Sequence, residues 1–232
     1  MPLILNIDTA TTYGGVGLAA NGTIIALAES SSQKDHATFL QPSILQVMKD
    51  AGKSLSDIDA IAVTIGPGSY TGLRVGLASA KGLCYALGKP LLTINTLAVM
   101  ALAAIEEWRS ASHDVSATPI FIPMIDARRM EVFAAAYNLQ CDEIMAAKAL
   151  IIEENIFTLL PVADLLVFSG DGSLKLAKSA EHTNIFISSV SHTIRHLAYL
   201  ALEKFKHHQF ADIAYCEPFY LKPFYTTAIR IQ

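Results

Sequence analysis

The string Gly66-Pro67-Gly68-Ser69-Tyr70-Thr71-Gly72-Leu73-Arg74-Val75-Gly76 holds the residue types that come nearest to a site. A glycine-rich turn that opens a helix leaves the first-turn N–H groups unpaired, and the helix dipole favours an anion at that end. It is not a P-loop, because the Gly-Lys-Ser/Thr ending is missing. The same string also reads as a tight turn capped by Ser69 or Thr71. Histidine offers a second chemistry. His192 and His196 stand at i and i+4, which on a helix puts two imidazoles on one face at metal-ligand spacing. Thr193 occupies the place of the glutamate in a His-Glu-x-x-His protease, and Arg195 disfavours a cation, so the pair reads as surface histidines on an amphipathic helix. His207 and His208, beside Lys204 and Lys206, read as a solvated helix end. Cys84, Cys141 and Cys216 are odd in number and contain no Cys-x-x-Cys pair, which makes them core thiols.

The elements that must carry these residues follow from patterning. Residues 3–8 form an apolar run ending in Asp8, and 14–20 and 23–28 are β-compatible and joined at Asn21-Gly22, a strong hairpin signal. The spacing of Phe39, Ile44, Leu45, Val47 and Met48 predicts a helix over 36–51, stopped by Gly52. A buried-type strand over 58–65 runs into the glycine-rich string, whose helix extends to about residue 87 before Gly88. A short strand over 91–94 and an apolar helix over 96–108 follow. The polar, unpatterned stretch 109–118 is the linker candidate. What comes after it repeats what came before. Ile4-Leu5-Asn6-Ile7-Asp8, with Val16 and Ala19-Ala20, is echoed by Ile122-Pro123-Met124-Ile125-Asp126, with Val132 and Ala134-Ala135-Ala136. Ile65-Gly66-Pro67-Gly68-Ser69 is echoed by Ser169-Gly170-Asp171-Gly172-Ser173. Two meander-plus-helix halves, each with an aspartate ending its first strand, describe a duplicated α/β fold of the actin-like ATPase (ASKHA, ribonuclease-H-like) type. The expected subdomains are 1–108 and 119–232.

In working enzymes of that superfamily the two strand-end aspartates face nucleotide phosphates and Mg²⁺, and glycine turns let backbone N–H groups approach the anion. The cleft candidates are therefore Asp8, Thr9, Gly66, Gly68, Ser69, Asp126, Gly170 and Gly172. They look degenerate. Asp8 is followed by Thr9-Ala10-Thr11-Thr12, with no glycine, and Asp126 by Ala127-Arg128-Arg129-Met130. Arg128 or Arg129 could bind phosphate, but the plainer reading pairs Asp126 with an arginine across a tight hairpin. Gly170-Asp171-Gly172 suits an adenosine-side turn or a simple strand-to-helix connection. The helix after Gly72 is apolar nearly all round and needs cover on every face. One face can lie on the sheet, and the other meets either the 36–51 helix or a partner. The partner-facing candidates are Gly72, Leu73, Arg74, Gly76, Leu77, Ala80 and Lys81.

Composition bounds the rest. With 232 residues, 52% hydrophobic and 16% charged, the chain can bury a sizeable core. A net charge of −4 argues against gripping nucleic acid alone, so any RNA must come through a partner. The first residues carry no basic region or cleavage site, and no run reaches the roughly 18 apolar residues of a bilayer span. A cytoplasmic protein with no membrane association is expected.

Four features converge on one family: Ile7-Asp8-Thr9-Ala10, the histidine in Lys34-Asp35-His36-Ala37-Thr38-Phe39-Leu40, the 66–76 string, and Ile125-Asp126-Ala127-Arg128. Together they resemble the TsaB (YeaZ) proteins of tRNA threonylcarbamoyladenosine biosynthesis, and the likeness resumes weakly at Pro218-Phe219-Tyr220-Leu221-Lys222. TsaB is a paralogue of TsaD, which transfers threonylcarbamoyl to the adenosine following the anticodon and holds its metal with a His-x-x-x-His pair. Here the pair becomes His36 and Leu40, and one imidazole cannot build a closed site. The resemblance implies a non-catalytic accessory subunit with no metal and no cofactor. It implies pairing with a TsaD-type protein through amino-terminal helices including 71–86, work alongside a TsaE-type ATPase, and a homodimer when alone. The rival readings are an active small-molecule kinase using Asp8, and a metallopeptidase using His36 or the His192 and His196 pair.

Overall fold

A computed structural model describes residues 1–31, 35–111, 118–153, 156–179 and 184–222. The first half opens with β1 (Leu3–Asp8), β2 (Gly14–Ala20) and β3 (Thr23–Ser30), then α1 (His36–Asp50), β4 (Ala60–Gly66), α2 (Tyr70–Leu87), β5 (Leu91–Asn95) and α3 (Thr96–Ser110). The second half holds β6 (Pro119–Asp126), β7 (Glu131–Tyr137), β8 (Glu143–Ile151), β9 (Leu165–Ser169), a 3-10 segment (Asp171–Ser179), β10 (Ile185–Ile187) and α4 (Ile194–Lys206). The core of the linker, residues 112–117, lies outside the described residues.

The repeat read from the sequence is a repeat of topology. One sheet runs β3-β2-β1-β4-β5 and the other β8-β7-β6-β9-β10, each a meander whose first strand pairs parallel with the strand after the crossover. The β2–β3 turn is Asn21-Gly22, both at positive φ, which matches the twist of a two-residue hairpin. The β6–β7 turn places Arg128 and Arg129 at φ 68° and 51°, positions that favour glycine or asparagine.

Strand alternation explains how each sheet is covered. On β1, Leu3, Leu5 and Ile7 pack with α1 and α2 through Leu40, Ile44, Val47, Leu77, Ala80 and Cys84. The opposite face, Ile4 with Ala60, Ala62 and Leu92, meets Ala201 of α4. Central strands covered on both faces read as continuous apolar runs, and β1 is buried throughout. In the second sheet, Phe121 and Ile125 look toward α3, whereas Ile122 and Met124 look toward the 3-10 segment through Leu176. The division expected at the linker is therefore not the division of the packing. α4, from the segment 119–232, completes the first half, and α3, from 1–108, covers β6 of the second. Residues 211–222 then return across the first half: Ala211 bridges Leu91, and the Phe219 amide donates to the Ile65 carbonyl at 2.7 Å. Lys222 closes this strap with an ion pair to Glu131 in the second half.

Candidate functional site

Asp8 ends β1 on the face that looks toward α4, and it is fully buried. Its Oδ1 accepts from the Ala10 amide at 3.0 Å and from the Thr64 hydroxyl at 2.8 Å. Its Oδ2 stands 3.2 Å from Nε2 of His192, off the angle of a directed hydrogen bond but well within ion-pair distance. His192 is fixed in turn by the edge of the Tyr13 ring, 5.5 Å away between centroids. The Tyr13 phenol donates to Glu29 at 2.7 Å and accepts from the Ile194 amide at 2.9 Å, which pins the start of α4. Burial pushes the Asp8 carboxyl up, but His192, the Ala10 amide and the Thr64 hydroxyl outweigh it and hold Asp8 below the ordinary carboxylate range.

Asp126 ends β6 and leans toward the other layer of its sheet. Its Oδ1 accepts from the Arg128 amide and from Nζ of Lys175, both at 2.6 Å, and Lys175 also donates to the Glu131 carbonyl at 2.8 Å. The Asp126 amide donates to Asp171 at 3.0 Å. Lys175 is the main reason the Asp126 carboxyl lies below its ordinary range. The pairing expected with an arginine across the hairpin is corrected here: the arginines turn the chain, and the cation is a lysine from the 3-10 segment.

The glycines of the 66–76 string serve close packing within the chain. A Cβ on Gly68 would overlap the Ala10 carbonyl, one on Gly72 the Thr9 carbonyl, and one on Gly76 the Thr9 hydroxyl. The Thr9 hydroxyl donates to the Gly72 carbonyl at 2.8 Å, and the Ser69 amide to the Ala10 carbonyl at 2.7 Å. Gly66 has φ 119°, and a Cβ there would also strike the Phe219 carbonyl. Ser69 caps α2 by accepting from the Gly72 amide, as the capping reading expects. The echo in the second half works alike: Gly170 and Gly172 lie against the backbone of Met124 and Ile125.

Two cavities lie between the halves. One of about 380 Å³ is lined by Thr11, Thr12, Met100, Ser169, Ser188 and His192 among others, and one of about 510 Å³ by Ser69, Thr71, Asp126, Ala127 and Arg128; Asp171 borders both. The donor set does not fit the magnesium-bound nucleotide that the architecture implies. Asp8 is spent on internal partners, Asp126 is ion-paired, and the glycines that would bare a backbone cradle are pressed against residues 9–10 and 124–125.

The partner-facing set also needs correction. Gly72, Leu73, Gly76, Leu77 and Ala80 are buried within this chain, because α2 lays that side on β4 and β1. Arg74 is exposed, stacks over Tyr70 and donates to the Tyr220 hydroxyl at 3.1 Å, and Lys81 donates to the Cys216 carbonyl at 2.9 Å. The outward stripe of α2 is instead Ala78, Gly82, Tyr85 and Ala86.

The histidines depart from their sequence reading as well. His192 precedes the helix rather than riding on it, so the i, i+4 geometry does not arise. His196 lies inside, its Nδ1 accepting from the Thr193 amide at 2.9 Å and its Nε2 lying 3.5 Å from Glu106. Neither is a surface histidine. His36 is buried and its ring Nε2 meets the Thr11 carbonyl at 2.8 Å, while Leu40 lies in the core. Among the described residues no cluster of three His, Cys, Asp or Glu side chains could hold a metal. Cys84 is a core thiol, pushed up to about 12 by burial; Cys141 and Cys216 are half-buried. No described helix is long and apolar enough to cross a membrane. Lys175 is the site residue that sequence reasoning missed, and His192 was read in another role, since each meets its aspartate only through the tertiary fold.

Fold and site together define a class: a duplicated actin-like ATPase domain whose strand-end carboxylates are paired within the chain. A model of the family described as TsaD, tRNA N6-adenosine threonylcarbamoyltransferase, matches residues 26–219, and the chain belongs to that family. It is 38% identical over 135 residues to the tRNA threonylcarbamoyladenosine biosynthesis protein TsaB of Escherichia coli K12, covering 58% of this chain and 54% of that one. The Bacillus subtilis TsaB is 32% identical over 135 residues, covering 58% and 55%. The chain thus spans about half the length of the curated relatives it matches. The solved structure of YeaZ from Pseudomonas aeruginosa shares 25% identity and a TM-score of 0.76, over 95% of this chain and 100% of that one. A polyphosphate/ATP-glucomannokinase from Arthrobacter sp. strain KM, 12% identical with a TM-score of 0.50 over 90% of this chain and 100% of that one, is alike in fold alone. The resemblance to TsaB and the actin-like architecture read from the sequence are both borne out.

Proposed function

We propose that this chain is a non-catalytic accessory subunit for threonylcarbamoylation of the tRNA adenosine following the anticodon. It activates a TsaD-type partner together with a TsaE-type ATPase. The observation that carries this reading is the state of the two strand-end aspartates: both carboxylates are engaged by the chain's own groups, which removes the chemistry a kinase or transferase of this fold needs. The relatives named for threonylcarbamoyladenosine biosynthesis supply the pathway. With a net charge of −4, the chain meets tRNA through the complex rather than by itself.

The partner surface is the outward stripe of α2 with the adjoining part of α1. Tyr85 is 86% exposed and Leu45 is 65% exposed, and a Cβ at Gly82 would meet nothing within 4 Å. The helices are held side by side by a hydrogen bond from Gln41 to Ser79. The same stripe serves a homodimer when the partner is absent. Reconstitution tests the role: TsaD-type protein, TsaE-type ATPase, ATP, tRNA and threonylcarbamoyl-adenylate turn over only when this chain is added, and this chain alone shows no transfer. Full turnover without it would refute the role. Copurification tests the surface, with Gly82→Glu expected to lose the partner while keeping a melting temperature no lower than the wild type's.

A further inference from the structure

Residues 211–222 cross the first half and finish on the second, so one short segment touches both. Ala211, Ile213 and Cys216 pack on the core that β1 shares with α1 and α2. α2 grips the segment at two further points. Lys81 donates to the Ala214 carbonyl at 3.4 Å as well as to that of Cys216, and Tyr220, whose hydroxyl accepts from Arg74, sets its ring 5.3 Å from that of Tyr70 between centroids. Two residues on, Lys222 reaches Glu131, the first residue of β7. Tyr70 is also a wall of the cavity of about 510 Å³, and the opposite wall is the hairpin of Asp126, Ala127 and Arg128 that leads into Glu131.

The halves are tied twice, and unequally. On the face of the first sheet opposite α1 and α2, the tie is buried and apolar: α3 packs Leu97 and Ala101 with Ile125 and Ala135 of the second half, and Val99 with Ile194 and Leu197 of α4. On the α2 side the tie is the strap, which ends in one ion pair whose side chains are 32% and 26% exposed. A part-exposed pair contributes little, so the far end of the strap opens long before the α3–α4 layer does.

We propose that residues 211–222 are a releasable clasp. Seated, they hold the halves together over the larger cavity; lifted, they leave the halves joined through α3 and α4, about which that cavity widens. The inference goes beyond the accessory role and concerns access to the cleft, whatever ligand or partner uses it.

Hydrogen exchange of the full chain, followed by NMR, reads the clasp at the Phe219 amide, whose acceptor is the Ile65 carbonyl. That amide should exchange faster than those of β1, which open only with the whole fold. Lys222→Met and Glu131→Gln should each speed it roughly three- to fivefold without moving the β1 amides, and the double variant no further. Exchange of Phe219 in step with β1, no acceleration in either variant, or additive acceleration overturns the proposal. Should Glu131→Gln lose the fold, Lys222→Met alone decides. Hydroxyl-radical footprinting then reads the cavity. Phe219→Pro removes the amide that seats the strap, and Lys222→Met joined to it removes the far-end pair. If the proline prevents folding, Tyr220→Ala with Lys222→Met takes its place. In the folded variant Phe133, on the β7 wall of the cavity, should oxidise faster than in the wild type, while Trp108 on α3 keeps its rate. An unchanged Phe133, a rise at Phe133 and Trp108 together, or a strap still seated, with the Ala211 amide protected as in the wild type, each overturns the proposal. Reconstitution with the TsaD-type partner is read separately, so either result stands or falls without the other.

Discussion

Gly72 and His196 show how much a single residue decides here. A Cβ at Gly72 has no escape from the Thr9 carbonyl, which is backbone on a buried strand end. Gly72→Ala should therefore destabilise the chain by at least about 2 kcal/mol, measured by urea denaturation. His196 is held below its ordinary value of 6.5, chiefly by burial, with Glu106 opposing. The unfolded chain then binds the extra proton more readily than the folded one. This part of the stability is complete above 6.5 and is lost as pH falls below that value. His196→Gln keeps an acceptor for the Thr193 amide, so its denaturation midpoint should fall less than the wild type's between about pH 7.5 and about pH 5.5. Asp8, whose carboxyl is depressed, contributes stability above the ordinary value of 3.8 that is lost only below it, so its loss begins at lower pH than that of His196.

At the scale of the element, α2 divides into a glycine-rich side pressed on this chain and a small-residue side turned outward. A sequence pattern that is apolar all round cannot say which face is which. The helix limits, the Ser69 cap and the Gly88 stop were legible because they are local signals. The burial of Leu77 and the exposure of Gly82 depend on how Thr9 and Ala10 meet the helix, and nothing local encodes that. An exposed mid-helix glycine with open space around it predicts a gain. Gly82→Ala should stabilise the isolated chain by about 0.5–1 kcal/mol, read from the urea midpoint, and copurification with the partner should report whether a methyl group is tolerated at the contact.

For the whole molecule, the duplication was the most legible feature. The hairpins and the strand-loop-helix echo were read from the sequence and recur in both sheets, whereas the parallel placing of β4 beside β1 is seen only in the fold. The candidate site was half legible. Asp8 and Asp126 declare themselves by ending apolar strands, but His192 and Lys175 lie on elements whose sequence gives no hint of a carboxylate across the fold. The exchange of α3 and α4 was hidden for the same reason, since apolar helices do not name the sheet they cover. A fragment of residues 1–108 lacks the helix that covers Ile4, Ala60, Ala62 and Leu92. It should fail to show cooperative thermal unfolding, and adding residues 119–232 as a separate chain should restore it.

That exchange also sets a timetable for synthesis. A nascent chain emerging from the ribosome offers β1 to β5 early, but the surface meant for α4 waits until residue 206 has cleared the exit tunnel. At the usual rates of translation the first sheet spends several seconds with one greasy side uncovered. The protein therefore asks for chaperone shelter during its own birth, and its first-made half is the last to be sealed.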